Sequence, residues 1–366
     1  MTKTLPTEAP QHSEPITRSL LVSEINQKYP QCRPVFEKYG IAGCGGEYGP
    51  QEPLFIFAAA HRVPLPELVD ELNRALRGEW KDERGTQKTQ GMAEAASETL
   101  YKRFVFGAMF VALTAGFGLG LVNLSRIVLA QSFYEISGVL KQIHGHAQVF
   151  GWVGLFIMGV AFHAVPRMKM QPLRHVRAAK WCFVLMLVGV FSLVFAQPLA
   201  RHSVGAAVLL ISGILELAAV GSFVWLLGGA VLGSEQEREP YEKFILASVG
   251  WFAVLAVWNL GIVFQMFLKR SVGIPSLQDA LWIHAAFFGF IANMILGFSL
   301  RVLPHFLGLR ETKTWAANVA FLLWNVAILL RYPVEQLAWA ASVLEAIAII
   351  LFVWALGVFA PRRTKI

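Results

Sequence analysis

The sequence predicts an all-α polytopic membrane protein: about eight transmembrane helices as two parallel four-helix repeats, with a small helical N-terminal cytoplasmic domain. Three observations predict it. First, 55% of the 366 residues are hydrophobic and only 15% are charged, with a mean hydropathy of +0.52. That balance is too apolar for a soluble enzyme of this length. Second, apolar runs fall at approximately 104–128, 139–165, 179–199, 204–232, 244–268, 281–304, 315–331 and 336–360, each near the roughly 20 residues that cross a bilayer core. Third, two sequence patterns occur twice, in the same order.

The N-terminal elements come first along the chain. Residues 1–17 are polar and proline-containing and read as a disordered tail. Residues 18–78 form a small helical soluble domain, with Ser23 placed to cap a helix, apolar residues at helical spacing and a Gly-rich turn around Cys44. Residues 79–100 are charged and Gln-containing and read as a linker or interfacial helix. The three cysteines, Cys32, Cys44 and Cys182, are too few and too scattered for a disulfide framework. No cleavable signal peptide is expected.

The first membrane repeat is placed at 101–232 and the second at 233–366. Aligning His146 with His284 brings Ala147, Phe150, Gly151, Gly159 and Pro166 onto Ala285, Phe288, Gly289, Gly297 and Pro304, an H-A-x2-F-G-x7-G-x6-P pattern in both copies. The second pattern, L-E-x6-F-V-W-x-L-G, starts at Leu215-Glu216 and again at Leu344-Glu345. Four helices per unit is an even number, so both units start from the same side and are related by an axis along the membrane normal. Such an axis turns the second helix toward the sixth.

Lys and Arg concentrate before the first apolar run, in the second, fourth and sixth connections and in the tail, which makes that side and both termini cytoplasmic. The net charge of +8 is accounted for by these helix-end residues, which meet anionic lipid and set topology. Nucleic acid is not an expected partner.

Ionisable groups inside apolar helices are costly and therefore mark function. Imidazole is the usual axial ligand of haem iron, so His146 and His284 are expected to hold haem, either one haem between the units or two related haems. His163 is expected on the same face as His146, nearer the cytoplasmic end, with Arg301 correspondingly below His284. Arg301 and His305 are candidates for contacts to propionate or substrate oxygens. His144 lies on a different face and is a candidate ligand, with His146 and His284, for a second metal such as copper. Glu216 and Glu345 are mid-helix carboxyls that must be paired or protonated, and three roles stand open: relaying protons as catalytic groups, binding a metal, or neutralising a buried cation such as Arg301. The Phe-Val-Trp cluster reads as packing and interfacial anchoring.

The H-x-H-A-x2-F-G helix, followed by a second H-A-x2-F-G helix ending in R-x2-P, resembles the NnrS family of haem- and copper-containing membrane proteins. More distantly it resembles the haem-ligand helix of haem-copper oxidases and nitric oxide reductases, whose helices also come in four-helix arcs. Helix 7 lacks histidine, so the oxidases' copper-binding histidine pair has no counterpart here. The 20–77 region, through Tyr29-Pro30, Val35-Phe36, Tyr39-Gly40-Ile41 and Cys44-Gly45-Gly46, resembles the N-terminal domain of the ScdA/RIC iron–sulfur-repair proteins, with Gly43 where that family has the first of two adjacent cysteines. These resemblances imply a haem b protein of the bacterial inner membrane that binds, reduces or senses nitric oxide or another small diatomic in nitrosative-stress metabolism. An oxidoreductase of this kind would take electrons from a quinol or cytochrome. Two other readings stand beside it: a transporter or channel for a metal or haem with a His/Glu-lined path between the repeats, and a membrane-anchored sensor.

Overall fold

The computed structural model describes residues 15–39, 48–61, 63–81, 87–132, 137–169, 171, 173–234, 237–306, 312–331 and 337–358, giving only the backbone for 59–61, 87–98 and 305. Most of the 1–17 tail and the Cys44 turn with Gly43 therefore lie outside the described residues. The chain divides into two compact units, 1–95 and 96–366.

The first unit contains α1 (Val22–Lys28), α2 (Arg33–Lys38), α3 (Leu54–His61) and α4 (Leu65–Leu76). In α4 the buried residues Leu68, Leu72 and Ala75 recur at helical spacing and close over Val22, Ile25, Phe36 and Phe57. Phe36 and Phe57 meet edge to face at 5.5 Å, a favoured aromatic geometry. Ser23 does not cap α1. The helix starts one residue earlier, and its first amides bond instead to backbone carbonyls, Val22 N–H to Glu52 at 2.9 Å and Ser23 N–H to Pro50 at 3.2 Å. A neighbouring strand-like segment thus satisfies donors that a side chain was expected to satisfy.

The second unit is a helical bundle. Seven helices are long and apolar enough to cross a membrane: α5 (Thr99–Ala130), α6 (Gly138–Met168), α7 (Val176–Leu199), α8 (Ser203–Leu232), α9 (Pro240–Lys269), α10 (Ser276–Pro304) and α12 (Leu337–Ala355). Between the last two lies the shorter apolar helix α11 (Thr314–Leu330), of 17 residues, about 25 Å of helix. The helix leading into α5 begins at Gln87, so the stretch read as a linker is helical for much of its length. Large apolar side chains cover the outside, with Leu129 85%, Leu113 72% and Phe106 71% exposed. In water such a surface would aggregate; in lipid it is the expected exterior.

Inside the bundle, α7 packs on α8, α8 on α9, α9 on α10 and α11 on α12. Phe252 of α9 stacks on Phe290 of α10 at 4.0 Å and lies 5.2 Å from Phe150 of α6. Phe223 and Phe352 of the repeated Phe-Val-Trp cluster are buried, while Trp225 is 57% exposed and faces outward.

The duplicated motif has duplicated local structure. A π-helical segment begins immediately after each motif histidine, Ala147–Gly154 after His146 and Ala285–Ala292 after His284. The repeated glycines are sites of close helix approach. A Cβ on Gly159 would lie 2.4 Å from Phe104 Cβ, and one on Gly297 would lie 2.9 Å from Ile245 Cγ1, each also near a tyrosine carbonyl, of Tyr101 or Tyr241. A Cβ on Gly151 would strike Val111, and one on Gly289 would strike Trp251. α5 thus seats on α6 through the same motif positions by which α9 seats on α10.

Candidate functional site

The motif histidines and the motif glutamates come together in pairs. His146 of α6 is 6% exposed and places Nε2 2.8 Å from Oε1 of Glu216 on α8, which is wholly buried. The second carboxylate oxygen accepts a 2.7 Å hydrogen bond from Asn259 Nδ2 of α9. Gly189 of α7 leaves the room this carboxylate needs, since a Cβ there would lie 2.7 Å from Glu216 Cγ. The imidazole lies nearly parallel to Phe150 at 4.7 Å and to Trp282 of α10 at 5.9 Å, and those two rings are themselves 5.9 Å apart, so the three form one aromatic cluster. A buried carboxylate is tolerated only when partnered, and here both oxygens are.

The second pair differs in its charge. His284 Nε2 lies 3.6 Å from Glu345 Oε1 on α12, and the other oxygen of Glu345 accepts from Arg331 Nη2 at 3.1 Å. Arg331 also donates to Ser342 Oγ at 2.7 Å. The cation next to the buried carboxyl is therefore Arg331, and not Arg301. A proton shared by His146 and Glu216 leaves that pair neutral on either partner, whereas the Glu345 carboxyl has beside it a guanidinium that does not lose its proton.

His146 and His284 do not converge on a common interior. Trp282 stacks on His146, and two residues further along a helix is about 200° around it, so His284 turns instead to α12 of its own half. A single porphyrin clamped by both imidazoles does not fit that arrangement. A ligand on His146 Nε2 would also have to displace the Glu216 carboxylate.

The remaining sequence-predicted residues fall elsewhere. His163 is not aligned under His146: its ring lies 4.4 Å from Tyr101 and its Nδ1 is 3.0 Å from Arg167 Nη1. The expected shared face does not hold even for a regular helix, where seventeen residues at about 100° each end about 260° round from the start, and eight residues of α6 adopt the wider π turn besides. Arg301 Cζ lies 5.9 Å from the Tyr241 ring. His144 bonds through Nδ1 to the Gly116 carbonyl at 2.9 Å, within the π segment of α5. The His305 side chain lies outside the described residues. Among the described residues, no three His, Cys, Asp or Glu side chains gather as a metal site.

Sequence reasoning passed over Asn259, Asp279, Trp282 and the two glutamines nearby. Beside His146, at the junction of the two halves, is a cavity of about 40 Å³ whose polar lining is Gln142, His146, Gln197, Asn259, Asp279 and Trp282. The glutamines are braced by the backbone, Gln142 Nε2 on Ile274 O at 3.0 Å and Gln197 Nε2 on Val272 O at 3.1 Å. Trp282 Nε1 is buried with no acceptor among the described protein atoms. Asp279 is 8% exposed and pairs at 3.7 Å with Lys141, whose side chain is 61% exposed. A polar residue inside an otherwise apolar run, as Asn259 is, was the signal that could have found this lining.

No family model, curated protein or solved structure matches this chain.

Proposed function

We propose that this chain is a proton-handling protein of a bacterial cytoplasmic membrane, built as two four-helix repeats with about eight crossings and both termini cytoplasmic. The observation that carries this reading is the meeting of the repeated histidine with the repeated glutamate in each half, His146 with Glu216 and His284 with Glu345. In the first pair, at 2.8 Å, the imidazole and the carboxyl are at hydrogen-bond distance and exchange a proton without creating net buried charge, so that pair can cycle where lone ions cannot, while the second pair is wider, at 3.6 Å. The two motifs form one apparatus in two copies, of which only the first has its carboxylate free of a guanidinium. The species served by the first copy is small. A cavity of about 40 Å³ suits water or a diatomic such as nitric oxide, far below the roughly 300–1,000 Å³ of organic-ligand sites. This reading is nearest to a His/Glu-lined path between the repeats.

A second reading rests on the histidine standing at the same position in both copies, ahead of the same π segment. There each half would hold its own haem b, on His146 and on His284, with electrons from a quinol or cytochrome and copper as a further metal.

The test is spectroscopic. Full-length protein in lipid nanodiscs should show a protonated-carboxyl infrared band that disappears in Glu216→Gln. A purified protein with no such band, and with a Soret band lost in both His146→Ala and His284→Ala, would replace this reading by the second.

A further inference from the structure

The cavity beside His146 connects the buried pair to an outward-lying carboxylate. Moving inward, Lys141 is exposed, Asp279 is nearly buried, the cavity follows, and His146 and Glu216 lie beyond it. Three features mark the cavity as a built site. Its glutamine walls are fixed by backbone hydrogen bonds. Its volume of about 40 Å³ exceeds the roughly 10–15 Å³ that one water requires. Trp282, 5% exposed, adds an indole N–H that has no protein acceptor, and such a buried donor requires one.

From these positions we infer that Asp279 collects protons for the His146–Glu216 pair through water held in this cavity, and that the Trp282 indole N–H anchors that water. The inference rests on the proton-handling reading and names the route by which the pair is reached. Each step moves one proton and no electrons. Asp279 gives its proton to the water, the water gives one of its own to His146 Nδ1, and His146 Nε2 passes its proton to Glu216 Oε1. Asp279 is then reprotonated from outside. The charged and titratable groups facing this route are Lys141 beside Asp279 and Glu216 beside His146. Asn259 is the neutral neighbour that keeps Glu216 in place. Asp279 and Trp282 are positioning and relay groups, neither touching the Glu216 carboxyl.

Two measurements on the full chain in nanodiscs test this. Tryptophan resonance Raman difference spectra, wild type minus Trp282→Phe, report whether that indole N–H is hydrogen bonded. A bonded signature is expected, and a free indole overturns the water site whatever Glu216 does. On transfer to D2O, the infrared carboxyl band of Glu216 shifts as its proton exchanges. Asp279→Asn and Trp282→Phe should each slow that exchange by about tenfold or more. Rates unchanged in both variants, with the band intact, overturn the route while the proton-handling reading stands. Absence of a Glu216 carboxyl band in the wild type defeats the reading itself, and the Raman result then still decides the water site. Should either variant misfold, the other is read alone, with slowed exchange expected and an unchanged rate overturning the route.

Discussion

Glu216 shows how much a single buried carboxylate asks of its neighbours. It is wholly buried, accepts from Asn259 at 2.7 Å and lies 2.8 Å from His146. Glu216→Gln retains shape and can still accept from Asn259 while its amide donates to the imidazole, so thermal unfolding in detergent should shift little. Glu216→Leu strands both partners, at about 1–3 kcal/mol for each buried group left unpaired, and should lower the unfolding temperature clearly. Equal shifts for the two variants would show that the hydrogen bonds do not matter. The opposite kind of residue is Cys32. It is fully buried, and burial pushes its thiol up to about 11, so it is a neutral thiol across the neutral range and not a nucleophile. Iodoacetamide at pH 8 followed by mass spectrometry should leave Cys32 unlabelled in the folded protein and label it in denaturant. Labelling at equal rates in both states would refute its burial.

At the scale of the helix, the repeated glycines set how closely α5 approaches α6 and α9 approaches α10. Gly159 has no room for a methyl group, since a Cβ would lie 2.4 Å from Phe104 Cβ, whereas Gly228 of α8 has nothing within 4 Å. Gly159→Ala should therefore destabilise by about 1–3 kcal/mol through overpacking, and Gly228→Ala should be neutral or stabilising by up to about 1 kcal/mol from helix propensity. Thermal unfolding of the two variants side by side checks this, and a milder effect at Gly159 would sink the close-approach account. Here the sequence was legible in part. The glycine spacing stood out because it occurs twice, but the surfaces it admits, Phe104 and Ile245, lie on another helix. The π segments were not legible, because Ala147–Gly154 has no residue pattern that separates i→i+5 from i→i+4 bonding. His163, expected beneath His146, is found against Tyr101.

Across the whole bundle, the recurring motifs were readable but the contacts that join the helices carrying them were not, since each uses a residue that the recurring motifs do not contain. Asn259 reaches from α9 to Glu216, and Trp282 from α10 to His146. A third joint lies past the far end of α6 from the cavity, where Lys169, 2% exposed, places Nζ 2.8 Å from Oε1 of Glu242 in the first turn of α9. Arg238 Nη1 bonds the other oxygen at 3.2 Å. The three charges are unequal in consequence. Glu242→Gln leaves the Lys169 ammonium buried without its counter-charge, a change of the kind that costs about 3–5 kcal/mol. Lys169→Met leaves Glu242 still neutralised by Arg238 and should cost distinctly less. The double variant removes both buried charges and should recover most of what Glu242→Gln loses, giving a large coupling in a double-mutant cycle read by thermal unfolding. Because the pair is buried, that coupling should persist in high salt, where exposed pairs are screened. Additive losses, or a coupling abolished by salt, would mean that Lys169 and Glu242 do not hold the two halves together.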